Sequence, residues 1–347
     1  MGGSGAQRIF DLQTPALVAD GDLLEKNLRR MAQALPGSRL RPHVKAHKCT
    51  GLAARQAAHG HRAFTCATIG EMEGMARAGL GDDLLLANEV LDTRRLRAID
   101  GRVSVVVDSE ATIEAAVEGG VSEVLIDVNV GLPRCGCRPD AAGALADRAR
   151  SRGLTVRGVM GYEGHAALIK ERAEREAAVA EAMNLLRGAH ADVGGEVVSA
   201  GATGTFDCND AATEIQAGSY ALMDTAYAEL DIPFHQALYV MARVISVSDD
   251  YAVADCGLKA LGMDHGNPHL DGARVWFCSD EHVTFAPESS VAVGDSIRVW
   301  PAHVDPTMAY HELLFIADGE TVIDYWPIDL RGWGRAAGAV DNGAVFK

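Results

Sequence analysis

A chain of 347 residues, with 48% hydrophobic and 23% charged side chains, has the make-up of an ordinary soluble globular protein and the length for two domains, or one barrel with an appendage. Its net charge of −16 argues against nucleic acid or an anionic membrane as a partner, and no apolar run approaches a membrane span. The seven cysteines are odd in number and scattered, which fits a reducing cytoplasm rather than a disulfide framework. Cys135 and Cys137 lack the second pair that a structural zinc site needs. Met1-Gly2-Gly3-Ser4-Gly5 has no charged segment followed by an apolar one, so it reads as a flexible leader and not a secretory signal.

From residue 15 to about 235, short apolar runs alternate with longer stretches of helical spacing. Strands are expected at 16–20, 41–46, 62–68, 83–89, 103–108, 123–130, 156–163 and 196–200. Helices are expected between them, for example at 22–35, 70–78, 111–118, 140–151 and 169–189. In the first of these, Leu23, Leu24, Asn27, Leu28 and Met31 recur at helical intervals, with Asp22 placed as the cap. Eight strands with helical crossovers predict a (β/α)8 barrel over residues 13–235. A doubly wound open sheet is the alternative, because strand order is not written in the sequence. Beyond residue 235 the pattern changes. Strands at 237–246, 251–255, 274–277, 283–286, 296–300, 313–317 and 321–327 are joined by short turns rich in Gly, Pro and Asp. This predicts an all-β second domain over 236–347, which residues 6–12 can join.

In such a barrel the reactive groups sit at the C-terminal ends of the strands. The first polar strand end is Arg41-Pro42-His43-Val44-Lys45-Ala46-His47-Lys48. The chain has six lysines; Lys26 and Lys170 fall in polar helical stretches and Lys347 is the last residue. Lys45, Lys48 and Lys259 remain as candidates for lysine chemistry. Alternation along a strand puts Arg41, His43 and Lys45 on one face. Burial, or the neighbouring cations His43 and Arg41, would deprotonate Lys45 and suit it to a Schiff base. A second strand end runs into a Gly/Pro turn carrying Arg134, a partner for a ring nitrogen or a carboxylate. A third, Tyr162-Glu163-Gly164-His165, offers His165 as a general acid or base. A fourth, Ser199-Ala200-Gly201-Ala202-Thr203-Gly204-Thr205 with Gly218-Ser219-Tyr220, has the small and hydroxylated residues of an anion cradle. It matches neither the dinucleotide fingerprint nor a nucleotide P-loop. In the β domain, His303 and Asp305 are two apart on a segment read as extended, a pair able to hold one divalent ion. Each segment also has a plain structural reading: a solvated basic loop, a turn arginine, a structural histidine, a glycine loop, an ion pair at a turn.

Taken in order, these segments form one series. Thr14-Pro15-Ala16-Leu17-Val18 leads into the Lys45 run, followed by Ala67-Thr68-Ile69-Gly70-Glu71, Arg134-Cys135-Gly136 and Thr203-Gly204-Thr205. Glu214-Ile215-Gln216-Ala217-Gly218-Ser219-Tyr220, Asp255-Cys256-Gly257-Leu258-Lys259-Ala260 and His303-Val304-Asp305-Pro306-Thr307 complete it. The series resembles the D-threonine aldolase and D-serine dehydratase family, which has the alanine-racemase-like fold and uses pyridoxal phosphate. The resemblance runs from about Asp11 to Trp333. It implies that Lys45 binds the cofactor, that Arg134 faces the pyridine nitrogen, and that Thr203, Gly204, Thr205, Gly218, Ser219 and Tyr220 hold the phosphate. It also implies that His303 and Asp305 bind a divalent metal. The dehydratase branch typically has His-x-Cys there. A carboxylate at the third position is harder and suits Mn2+ first, then Mg2+, Co2+ or Zn2+. Such a pair is the pattern of the aldolase branch, although aldolases often have Cys where this chain has Val304.

The resulting expectation is a cytoplasmic lyase that splits D-3-hydroxy amino acids, D-threonine for example, into glycine and an aldehyde. His165 or water on the metal would take the hydroxyl proton. The runner-up is a dehydratase on the same scaffold, turning D-serine or D-threo-3-hydroxyaspartate into a 2-oxo acid and ammonia. A pyridoxal-phosphate carrier would lack the β domain, and a racemase would need a second base. The resemblance further implies a homodimer in which one subunit's β domain closes the other's barrel mouth.

Overall fold

The computed structural model describes residues 7–332; Met1-Gly2-Gly3-Ser4-Gly5, Trp333 and Lys347 lie outside them. The first strand, β1 (Ala16–Asp20), belongs to the sheet of the second domain and not to the barrel it is expected to open. The barrel strands are β2 (Ala63–Cys66), β3 (Asp83–Leu86), β4 (Val103–Val107), β5 (Glu123–Asp127), β6 (Thr155–Met160), β7 (Val197–Ala200) and β8 (Glu214–Ile215). All run parallel, each bonded to the next in chain order.

Residues 40–43 close the ring. Leu40 bridges Ile215 on one side and His43 bridges Thr65 on the other. The Arg41 N–H donates to Ile215 O at 2.9 Å, and Pro42 O accepts the Thr65 N–H at 2.9 Å. This gives eight staves, the architecture expected, but the eighth is shorter than the predicted strand at 41–46. Pro42 offers no N–H to a ladder. After His43 the chain tightens into a 3-10 turn, Val44–Ala46, with His43 Nδ1 accepting the Lys45 N–H at 3.4 Å.

The strands are buried on both faces, as a helix-wrapped barrel requires. Leu85, Val106, Leu125, Met160 and Val197 form an inner apolar layer. Their neighbours along the strands, such as Leu84, Val105, Val124 and Val159, pack outward. The helices are α1 (Gly21–Ala34), α2 (Thr50–Ala58), α3 (Ile69–Arg77), α4 (Glu110–Glu118), α5 (Ala142–Ser151), α6 (Arg172–Val193) and the short α7 (Thr225–Ala228). α1 buries Leu24, Asn27, Leu28 and Met31 as its spacing predicts. Its cap is Asp20, which accepts the Leu23 N–H at 2.9 Å, and not Asp22. Arg41 is consumed at the starts of β3 and β8. Its guanidinium meets Asp83 Oδ1 at 3.0 Å and Glu214 Oε1 at 2.8 Å. Burial opposes ionisation of Asp83, but Arg41 outweighs it and holds the carboxyl below its ordinary range. Arg41 is therefore not the free cation beside Lys45 that strand parity suggests.

The second domain is built mainly of β-strands, as its turn-rich sequence predicts. Its strands are β9 (Leu238–Val247), β10 (Ala252–Ala254), β11 (His269–Leu270), β12 (Ala273–Cys278), β13 (Val283–Pro287), β14 (Ser296–Trp300), β15 (Leu313–Asp318) and β16 (Thr321–Pro327). β9 pairs with both β10 and β14, so the order β9-β10-β13-β12-β11-β14 closes on itself. β1 lies antiparallel to β9 and parallel to β15, and Arg8 bridges Thr321. The N-terminal segment thus fastens the barrel to the β domain. One helix, α8 (Val304–Tyr310), follows β14 and packs on the turn that carries Lys45.

Candidate active site

A cavity of about 480 Å³ opens at the C-terminal ends of the barrel strands, a size suited to a cofactor with its substrate. Lys45 lines it. Its Nζ lies 5.7 Å from the centre of the Tyr162 ring, and the Arg134 guanidinium lies 5.2 Å from the same ring. Both side chains therefore gather around one aromatic ring. The other two candidate lysines are engaged elsewhere. Lys48, at φ +48°, turns away and pairs with the buried Glu71. Lys259 is exposed beside Asp280 and Glu281. His43 also lines the cavity; burial, then the charge of Lys45, pushes its pKa well below the ordinary value, so it stays neutral.

One wall is backbone and hydroxyl. Gly201, Thr203, Gly218 and Ser219 line it. A Cβ on Gly218 would stand 2.4 Å from His43 O, so only glycine brings this loop against the Lys45 turn. Thr203 Oγ1 accepts the Tyr220 N–H at 2.9 Å, joining the two loops. Gly204, Thr205 and Tyr220, predicted as part of the cradle, stand behind it. A Cβ on Gly204 would strike Ala167 O at 1.9 Å, and the buried Tyr220 hydroxyl meets Gln56 Nε2 at 3.0 Å. Thr205 Oγ1 accepts the Ala202 N–H at 3.0 Å and donates to Glu163 at 2.8 Å. Glu163 is the anchor of this loop, accepting also from Gly201 N–H at 3.1 Å and Asn209 Nδ2 at 3.0 Å. Its neighbour His165 is exposed and packs on Gly131, away from the cavity wall. The expected acid or base is thus not brought to the cavity: the turn at Gly164 carries it outward.

His303 and Asp305 do reach the cavity. They are not on an extended segment: His303 caps α8 and Asp305 is in its first turn, followed by Pro306, which a helix start tolerates. His303 Nε2 is 3.9 Å from Asp305 Oδ1. Three contacts sew this segment to the barrel. Thr225 N–H donates to Pro301 O at 3.1 Å, Val304 N–H to Asp224 Oδ2 at 2.8 Å, and Ser219 Oγ to Asp305 Oδ1 at 3.3 Å. Burial raises the Asp224 carboxyl to about 6, its hydrogen bonds notwithstanding. The α8 segment of the β domain is therefore held at the barrel mouth of its own chain.

Several residues in or beside the wall carry no sequence signal of their own. Asp264 and His265 sit in a glycine-bracketed turn, and the His265 ring stacks on His303 at 3.9 Å. Near Arg134, Asp127 and Glu89 face each other. Burial, then the bond to Glu89, pushes the Asp127 carboxyl well above its ordinary range.

Residues 19–226 match the alanine racemase N-terminal domain family, and residues 237–317 match a putative serine dehydratase domain. The chain is 35% identical to the D-threonine aldolase of an Arthrobacter species, over 93% of this chain and 94% of that protein. The chain belongs to the alanine-racemase-like family of D-3-hydroxy-amino-acid aldolases and dehydratases. Within that family it is also 31% identical to the D-threo-3-hydroxyaspartate dehydratase of Delftia sp. strain HT23, over 94% of this chain and 99% of that one. Its fold matches the crystal structure of the D-threonine aldolase from Filomicrobium marinum with a TM-score of 0.88 and 35% identity, over 94% and 97% of the two chains. These relatives are enzymes acting on small D-3-hydroxy amino acids.

Proposed function

We propose that this protein is a pyridoxal-phosphate- and divalent-metal-dependent aldolase of D-3-hydroxy amino acids, cleaving the Cα–Cβ bond to glycine and an aldehyde. The observation that carries the reading is that one cavity holds Lys45 together with an imidazole and a carboxylate, His303 and Asp305. The residues present fit both groups. Gly218, where a side chain would collide, stands with Thr203 and Ser219 as a phosphate cradle, supported from behind by Gly204, Thr205 and Tyr220. Lys45 supplies the amine and Arg134 the partner for the ring. His303 Nε2 and Asp305 Oδ1, 3.9 Å apart, are within the span of one ion with ligand bonds of about 2.0–2.2 Å. The mixed nitrogen and oxygen set accepts Mn2+, Mg2+, Co2+ or Zn2+.

Bound there, pyridoxal phosphate supplies an electron sink for the pair left on Cα, and the ion supplies a Lewis acid for the β-oxygen. The chain's residues set the conditions. Arg134 would face the ring nitrogen with a guanidinium, which does not give up a proton to it, and this would moderate that sink. Neutral His43 adds no charge beside Lys45. Asp305 keeps an anionic ligand where a thiolate would favour softer ions.

The dehydratase reading keeps the same site and breaks the Cβ–O bond instead. It is favoured by the dehydratase-type match of residues 237–317. Exhaustive chelation tests the metal half of the proposal. Turnover of D-threonine is expected to stop while the cofactor's absorbance stays, and to return with Mn2+. Full turnover after chelation would contradict it.

A further inference from the structure

The turn at 262–266 places a carboxylate on the far side of the imidazole that Asp305 faces. Asp264 Oδ2 lies 2.7 Å from His303 Nδ1, whereas His303 Nε2 is the ring nitrogen facing Asp305. The two nitrogens thus have separate surroundings. An ionised carboxylate only accepts hydrogen bonds, so a neutral ring bonded to Asp264 carries its proton on Nδ1 and its lone pair on Nε2. The turn that holds Asp264 is itself fixed. Gly262 bridges His303, and its N–H donates to Thr307 Oγ1 at 2.8 Å. Thr307 Oγ1 in turn donates to His303 O at 2.7 Å. A Cβ on Gly262 would stand 2.3 Å from Pro306 Cγ, so no other residue allows this approach. His265, stacked within 12° of parallel on His303, leaves the ring little room to rotate.

We propose that Asp264 is a positioning residue: it fixes His303 as the Nδ1–H tautomer, so that Nε2 and Asp305 form the divalent-cation pair. The inference rests on the metal-dependent reading above. It also gives Asp264 a role outside the ligand set. Asp264, His265 and His303 offer ligand atoms within 4.8 Å of one another, and a cation held by that trio through Nδ1 would take the nitrogen that faces Asp264. The 2.7 Å contact to a carboxylate is instead what an outer partner of a ligating histidine makes.

Two measurements on the full chain with its cofactor test this. In 15N-histidine-labelled, Zn2+-loaded protein, His303 is expected to show a protonated Nδ1 and a coordinated Nε2. In Mn2+ titrations followed by calorimetry, Asp264→Ala is expected to weaken binding by about 10–100-fold. Asp264→Asn should weaken it less, because the amide oxygen still accepts from Nδ1–H. Unfolding temperature and cofactor absorbance should stay at the wild-type values in both variants. Coordination through Nδ1 overturns the proposal, as does Mn2+ affinity in Asp264→Ala within about twofold of wild type. Wild-type protein that binds no Mn2+ overturns the proposal together with the metal-dependent reading, whereas the first two results leave that reading standing.

Discussion

Lys45→Ala is expected to abolish the borohydride-reducible cofactor adduct and to lower turnover by on the order of 10³–10⁴-fold. Two features of the fold make Lys45 the site. The eighth stave stops at His43, and the 3-10 turn that follows lifts Lys45 into the cavity beside Tyr162 and Arg134. Lys48, three residues on, is committed to Glu71, whose carboxylate also accepts the Ala67 N–H at 2.6 Å. Lys48→Ala should therefore keep the adduct and lose stability instead. It leaves a buried carboxylate short of its cation, at a cost of roughly 1–3 kcal/mol. Borohydride reduction, digestion and peptide mass mapping distinguish the two. An adduct that survives in Lys45→Ala and maps to Lys48 would refute the assignment.

His303→Ala is expected to lower metal-dependent turnover by about 10³-fold, several kcal/mol of transition-state stabilisation, while the cofactor spectrum persists. The persistence follows from the division of labour in the cavity. Lys45, Arg134 and Thr203 come from the barrel, and the metal pair comes from α8 of the β domain. Asp305→Ala should lose turnover similarly but loosen the cofactor somewhat, because Ser219 Oγ then loses its acceptor on Asp305. Asp305→Cys should shift the metal preference toward Zn2+, since a thiolate is the softer ligand. Turnover in His303→Ala with unchanged Mn2+ dependence would contradict the assignment of the pair.

Much of this was readable from residues alone, for identifiable reasons. The alternation of apolar runs with helical stretches gave the barrel, and the shift to short runs with Gly, Pro and Asp turns gave the β domain. Lys45 stood out because few lysines compete with it, whereas His303 and Asp305, a weak pattern by themselves, took their role as a metal pair from the family resemblance. Pairing was not readable. Ala16–Asp20 is an apolar run suited to any buried strand, and its partners β9 and β15 lie more than two hundred residues away. Strand parity failed at 41–46 because Pro42 gives no ladder donor and the chain turns after His43. It failed at 303–305 because Asp305 and Pro306 open a helix. His165 was misplaced for a similar reason: β6 ends at Met160, so strand direction no longer governs where that side chain goes. Asp264 and His265 gave no signal, because a turn residue's role depends on what folds against it. Here that is His303, thirty-nine positions downstream of Asp264.

The claim that Lys45 and the His303/Asp305 pair act together on one Cα–Cβ bond is tested most directly by the products formed from D-threonine. Proton NMR of the reaction in the presence of Mn2+ follows all of them at once. The account predicts acetaldehyde and glycine in equal amounts, both lost in His303→Ala. Formation of 2-oxobutyrate and ammonia without glycine would contradict it and assign the same site to dehydration.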